Sequence, residues 1–320
     1  MKKIALLILV AAFPAILPGQ GDDQFLPSEL KQATVITEPA TLRKGFLRVG
    51  FDWNYGGIKK IFNEETKKIF TPGSSIGRSS MFEASVQYGL TDRIQANLTM
   101  PYMMDLVQGS IILDDPLFQQ KKQVDFEQRG FGPGDLALGV YTQLLKESEA
   151  IPSVTLRTTV MLPTGRKNPG DFSSDSLIYH TSTGSGEVSL AIDLQARKIM
   201  YPYSFVVYGG IDYGFGGEKV IEVGMPEQSF RSGMTAYLAG GFNFHLNDWI
   251  CMTNDVYYTR IGKETINDIQ QDETKWQLMY IPYIHFQIKQ LRLVQGVFVP
   301  LKGKLISADP SYIFIAQFVF

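Results

Sequence analysis

The run IAQFVF, Ile315 to Phe320, places Ala316, Phe318 and Phe320 on one face of an extended strand and Ile315, Gln317 and Val319 on the other. Working back from it, the chain from Lys44 onward divides into segments with the same two-residue period, each about ten residues long, the length of a strand that crosses a bilayer at a tilt. Twelve such segments are legible: Gly45 to Tyr55, Ser80 to Leu90, Arg93 to Met103, Asp135 to Leu145, Ser153 to Leu162, Glu187 to Ile199, Tyr203 to Phe215, Met234 to Leu246, Trp249 to Arg260, Lys275 to Ile288, Leu291 to Leu301 and Ser311 to Phe320. In the sixth, Val188, Leu190, Ile192, Leu194 and Ala196 share one parity while Glu187, Ser189, Asp193, Gln195 and Arg197 share the other.

The connections alternate in length. Thr91-Asp92, Lys146 to Pro152, Met200 to Pro202, Asn247-Asp248 and Lys289-Gln290 are short, and the links between them are long, with the longest after Met103. Short turns on one side and long loops on the other, with an even strand count, predict an all-β fold: a closed antiparallel transmembrane β-barrel of twelve strands with both termini in the periplasm. Closure removes the free edges whose unpaired backbone groups would find no water in lipid. A soluble β-sandwich would also alternate, but its apolar face would point inward and its loops would not segregate by length. A strand ending on aromatic Phe320 resembles the terminal signal by which outer-membrane barrels are recognised for insertion, which implies the barrel assembly machinery as a partner and outer-membrane lipid as surroundings.

The chain opens MKKIALLILVAAFPAILPGQG, with Lys2 and Lys3 preceding an apolar run from Ile4 to Phe13 and then Pro14, Pro18 and Gly19. That is the layout of a secretory signal peptide, assigned to residues 1–21. No cysteine lies at the junction to carry a lipid anchor. Residues 22–44 follow as a periplasmic segment with Pro27 and Pro39, either a loose tail or a partial plug folded into the periplasmic mouth, and residues 45–320 form the barrel. The single Cys251 can form no internal disulfide and offers no metal framework, and a formal net charge of −2 gives no basic excess for nucleic acid. Neither a cofactor nor a nucleic-acid partner is expected.

Trp53, Tyr55, Phe215 and Trp276 have lipid-facing parity near the long-loop end, and Tyr203, Phe244, Phe286 and Phe320 near the short-turn end, as two aromatic girdles require. Two strands fit less well. The ninth sets Asn254 beside Asp255 and the eleventh puts Gln295 on the lipid parity, and a β-bulge is one way to shift either register.

GFGPGDLALGVYTQLL (Gly130 to Leu145), VMLPTGRKNPG (Val160 to Gly170) and TGSGEVSLAIDLQ (Thr183 to Gln195) resemble, in order and spacing, the outer-membrane family named for the meta-pathway of phenol degradation. Gly130, Gly132, Gly134, Gly165, Gly184 and Gly186 fall at strand mouths, where tight turns and kinks favour a residue without a side chain. The resemblance implies a porin-like transporter for small-molecule solutes, aromatic or moderately apolar ones included, and brings no catalytic residues with it.

Inward parity then defines the candidate lumen lining: Arg48, Asp52, Glu83, Arg93, Arg157, Glu187, Asp193, Arg197, Asp212, His285 and Arg292. Asp52, Glu83, Asp135, Glu187 and Asp212 fall toward the extracellular mouth, and Arg48, Arg93, Arg197, His285 and Arg292 toward the periplasmic one, predicting a near-neutral lumen with an axial field. Mixed signs argue against strong selection for either anions or cations. Arg157 and Asp193, from neighbouring strands at similar depth, are the first pair expected to meet. Twelve strands lie between the filled eight and the water-filled sixteen, which leaves both a narrow solute path and an occluded, purely structural lumen open. An enzyme is not expected. The outer-membrane phospholipase also has twelve strands, but its lipid-face Ser-His-Asn arrangement has no counterpart, because His245 and His285 point inward and His180 sits in a long loop. His245 and His285 come from non-adjacent strands and are better read as solvated or hydrogen-bonded than as metal ligands.

Overall fold

Two-residue alternation in a bilayer has one consistent outcome, a wall whose apolar parity meets lipid and whose polar parity meets the lumen. A computed structural model describes residues 41–70, 76–115, 120–169, 177–220, 226–247, 249–271, 273–288 and 290–320. All twelve expected segments are strands: β1 (Leu47–Ile58), β2 (Ile76–Gly89), β3 (Ile94–Asp115), β4 (Leu136–Leu145), β5 (Ser153–Leu162), β6 (Glu187–Met200), β7 (Tyr203–Lys219), β8 (Thr235–His245), β9 (Ile250–Ile261), β10 (Lys275–Ile288), β11 (Leu291–Lys304) and β12 (Ser311–Val319). Each pairs antiparallel with the next, and β12 returns to β1 from Arg48↔Val319 to Gly56↔Ser311, closing the sheet.

The faces are inverted relative to a soluble protein. Val49, Phe51, Leu98, Ile192, Leu194, Phe242 and Phe314 are exposed on the outer wall, while Gln95, Asn97, Thr155, Ser204, Asn243 and Thr253 are buried. That inversion disposes of the sandwich. At the girdles, Trp53, Tyr55 and Phe215 are exposed at one end and Tyr203, Phe286 and Phe320 at the other, with the Trp53 indole N–H donating to Ser80 Oγ at 2.8 Å.

The long link after Met103 is not a loop. β3 runs on to Asp115 and pairs with a strand at Gln120–Pro133, which leads through Gly134-Asp135 into β4. The hairpin was missed because these residues, beyond the lipid, need no apolar face, so QQKKQVDFEQR carries no strong alternation. The link after β1 also folds, as a small sheet of Lys60–Phe62, Lys68–Phe70 and Ile306–Ser307 with Phe62 fully buried.

Neither doubtful register needs a bulge. β9 pairs with both neighbours without a shift: Asp255 is buried on the inward parity, and Asn254 sits on the outer parity, accepting a hydrogen bond from the Tyr280 hydroxyl at 2.5 Å. Gln295 stays on the lipid face and helps line a mostly apolar groove of about 710 Å³ in the outer wall. The β10–β11 register shift lies elsewhere, between Leu278 and Met279.

The expected signal peptide and residues 22–40 lie outside the described residues. At the end of that segment Thr41 and Leu42 are buried in the periplasmic mouth, the Leu42 N–H donating to Gln95 Oε1 at 2.8 Å.

Candidate pore lining

Midway along the lumen the inward parities of β4 to β9 bring one ion pair and a group of tyrosines together in a belt, the waist of the barrel. Arg157 and Asp193 are direct cross-strand partners and form an ion pair through Arg157 Nε, with side-chain exposures of 25% and 10%. The guanidinium lies over the rings of Tyr141 and Tyr208, 5.7 and 5.8 Å from their centroids. Tyr208, Tyr237 and Tyr257 make a cluster, with Tyr237 and Tyr257 stacked at 5.7 Å and Tyr208 6.5 and 6.4 Å from them. Tyr283 extends the aromatic surface along β10, edge-on to Phe298 at 6.4 Å. Space for this comes from absent side chains: a Cβ on Gly210 would lie 2.4 Å from Asp193 Cβ, and one on Gly241 would lie 1.8 Å from Asp255 Oδ1.

Toward the periplasm a hydrogen-bonded ladder crosses six strands. The Arg292 guanidinium can only donate, so His285 Nδ1, 3.0 Å away, accepts. His285 Nε2 then carries the proton and donates to Thr253 Oγ1 at 2.8 Å, the Thr253 hydroxyl donates to Asn243 Oδ1 at 2.5 Å, and Asn243 Nδ2 donates to Ser204 Oγ at 2.7 Å. The Ser204 hydroxyl is left to donate to His245 Nε2 at 3.4 Å. Arg292 also reaches Gln317 Oε1 at 3.4 Å. Both histidines are therefore hydrogen-bonding members of the wall, and no group of three His, Cys, Asp or Glu side chains fit to hold a metal occurs among the described residues.

At the extracellular mouth acids act on backbone. Glu187, 2% exposed, accepts from the Gly216 N–H at 3.0 Å and the Ser232 N–H at 3.1 Å, and Asp135 accepts from the Gly165 and Ser185 N–H groups at 3.0 and 2.6 Å. The loops so joined are close enough that a Cβ on Gly165 would meet Gly184 Cα at 2.7 Å. Further out, hydrogen bonds from Asn168 and Lys167 hold the exposed Glu227 carboxyl below its ordinary range. Replacing Glu187 by Ala is expected to cost about 1–3 kcal/mol, the penalty for orphaned buried donors, and to open residues 226–232 to protease in the folded barrel.

The remaining charges divide. Arg48 is buried and donates to Gln87 Oε1 at 3.2 Å, and Asp52 faces Glu83 directly across β1 and β2 in the extracellular half. Asp212, on β7, is half-buried beyond the waist. Arg93 stands in the turn before β3, apart from the others. Two expectations are corrected. Glu187 is a loop staple before it is a lumen charge, and Arg197 is neutralised by buried Glu147 at 3.2 Å, so it adds little to an axial field. Glu147 was missed because it lies in a turn, where parity says nothing. Asp255, Tyr257 and Thr253 escape the sequence reading because Asn254 beside Asp255 obscures the parity of β9, while Tyr283 shares the inward parity of His285 on β10 and was legible there.

A closed twelve-stranded barrel with an apolar outer wall, aromatic girdles and a polar lumen defines a β-barrel protein of the bacterial outer membrane. The chain belongs to the family described as "Putative MetA-pathway of phenol degradation", which matches residues 68–283. Among solved structures it is similar to an outer membrane channel from Pseudomonas putida F1, with a TM-score of 0.66 at 13% identity over 88% of this chain and 97% of that one. It is more distantly similar to the translocator domain of the autotransporter NalP from Neisseria meningitidis, with a TM-score of 0.48 at 9% identity over 90% and 92% of the two chains. These likenesses concern the fold. No curated protein matches the sequence.

Proposed function

We propose that the barrel is a passive channel for small, uncharged, moderately apolar solutes, aromatic ones among them. The tyrosine waist carries this reading. Its rings present π faces and hydroxyls to the lumen, and the Arg157 guanidinium among them is neutralised by Asp193. An aromatic solute gains stacking and a hydrogen bond there, whereas an ion meets no ring of opposite charge. The family's description, and the channel named for the similar Pseudomonas putida structure, support passage over a purely structural role. No catalytic role is assigned.

Single-channel recording on refolded protein tests this. A small hydroxylated aromatic such as 4-hydroxybenzyl alcohol should block the ionic current at concentrations where glucose does not, and Tyr237→Ala with Tyr257→Ala should weaken that block at least about tenfold, since each stacked ring contributes on the order of 1 kcal/mol. Absence of conductance under every condition would instead support the occluded, structural barrel.

Within the segment 22–44, the seating of Thr41 and Leu42 against Gln95 supports the plug reading. Removing that segment should raise conductance without lowering the unfolding temperature. Unchanged conductance, with rapid proteolysis of the segment in the intact protein, would identify a tail.

A further inference from the structure

On the lipid face at the extracellular end, Arg260 of β9, Trp276 of β10 and Lys304 of β11 are successive cross-strand partners, so their side chains form one outward row. Lys302 and Tyr258 occupy the row below, each the partner of Leu278, and Tyr258 packs against Trp276 at 6.2 Å between ring centroids. Arg260 and Lys302 are exposed. None of these three cations forms an ion pair with a carboxylate among the described residues, whereas Lys275 pairs with Glu264 close by and, across the mouth, Lys167 pairs with Glu227 and Arg129 with Glu127.

The register shift creates this patch. Pro300 pairs with Met279 and Lys302 with Leu278, so Leu301 is the extra residue, extruded and half exposed. Without it, Lys302 and Lys304 would keep the parity of Gly296 and Pro300, both buried toward the lumen. A bulge re-aims the side chains beyond it, and here it turns two lysines onto the membrane face beside an arginine and the aromatic girdle.

We propose that Arg260, Lys302 and Lys304 form a binding site for the phosphates of a phosphorylated glycolipid in the outer leaflet, with Trp276 and Tyr258 as the surface against which its sugar lies. Position and charge select the occupant. The row stands at the depth of the outer-leaflet headgroups, faces lipid rather than lumen, and gathers three positive charges where an anionic headgroup supplies the complement. A guanidinium and two ammonium groups suit phosphate oxygens, the arginine by paired donors and the lysines as point charges. The inference is independent of what the lumen passes.

Native mass spectrometry of refolded protein titrated with bis-phosphorylated lipid A is the test. Wild-type protein should retain it at least about tenfold more tightly than lipid A stripped of its phosphates, and added salt should weaken binding. The triple variant Arg260→Gln, Lys302→Gln, Lys304→Gln should lose that preference while keeping heat-modifiable gel migration and channel conductance. Equal retention of the two lipid A forms by wild-type protein overturns the proposal, and this comparison needs no variant to fold. Equally tight binding of phosphatidylglycerol overturns the glycolipid assignment, and full retention by the triple variant overturns the site.

Discussion

Asp193→Asn is expected to destabilise the barrel by about 3 kcal/mol and to shift the reversal potential toward anion selectivity. The substitution leaves the Arg157 guanidinium between Tyr141 and Tyr208 without its carboxylate. Breaking a buried pair costs about 3–5 kcal/mol, against well under about 1 kcal/mol for an exposed one. The lower end of the buried range applies because 25% of the Arg157 side chain is exposed. Removing both charges, as Arg157→Met with Asp193→Leu, should recover most of the loss, since no uncompensated ion remains. Thermal unfolding and reversal potential measured on the same variant decide the matter. No change in either would show that the pair is neither a structural tie nor a constriction.

Deleting Phe320 should reduce the yield of folded barrel in lipid vesicles at least about tenfold, read from the fraction that migrates as the compact form on an unheated gel. Phe320 and Leu47 exchange both backbone hydrogen bonds, at 2.8 and 3.1 Å, at one end of the β1–β12 seam. The Phe320 ring also stacks on Phe318 at 6.5 Å. Loss of the rung strands two backbone groups of Leu47 at the membrane boundary, where each unpaired group costs about 1–3 kcal/mol or more. Closure joins residues far apart in sequence, a pairing whose loop-closure cost is high, so a weakened seam should act on folding yield. Phe320→Tyr keeps the rung and an aromatic ring and should fold normally; a deletion that folds as efficiently would show that the seam tolerates the loss.

The wall was legible because the bilayer imposes on every strand a constraint that can be read locally. Lipid demands apolar side chains at alternate positions over a fixed length, so β5 and β10 were bounded to the residue. Where the chain leaves the bilayer the constraint lapses, and with it the legibility: the hairpin of β3 with residues 120–133 and the small sheet around Phe62 obey ordinary packing instead. The lumen was half legible. Parity set Arg157 opposite Asp193, where the two pair, but could not tell which inward-parity groups are already satisfied.

The sequence by itself determined the closed twelve-stranded architecture, its orientation and the membrane it lies in, because period, strand length and loop length are each properties of short stretches. Only the tertiary structure decided which inward groups remain for a solute. That depends on contacts that no single stretch contains: Glu147 from a turn neutralising Arg197, Glu187 and Asp135 taken up by loop amides, and tyrosines of the consecutive strands β7, β8 and β9 packed side by side. It depends too on a single extruded residue, Leu301, which reverses the faces of Lys302 and Lys304, because alternation predicts a face only until the count is broken.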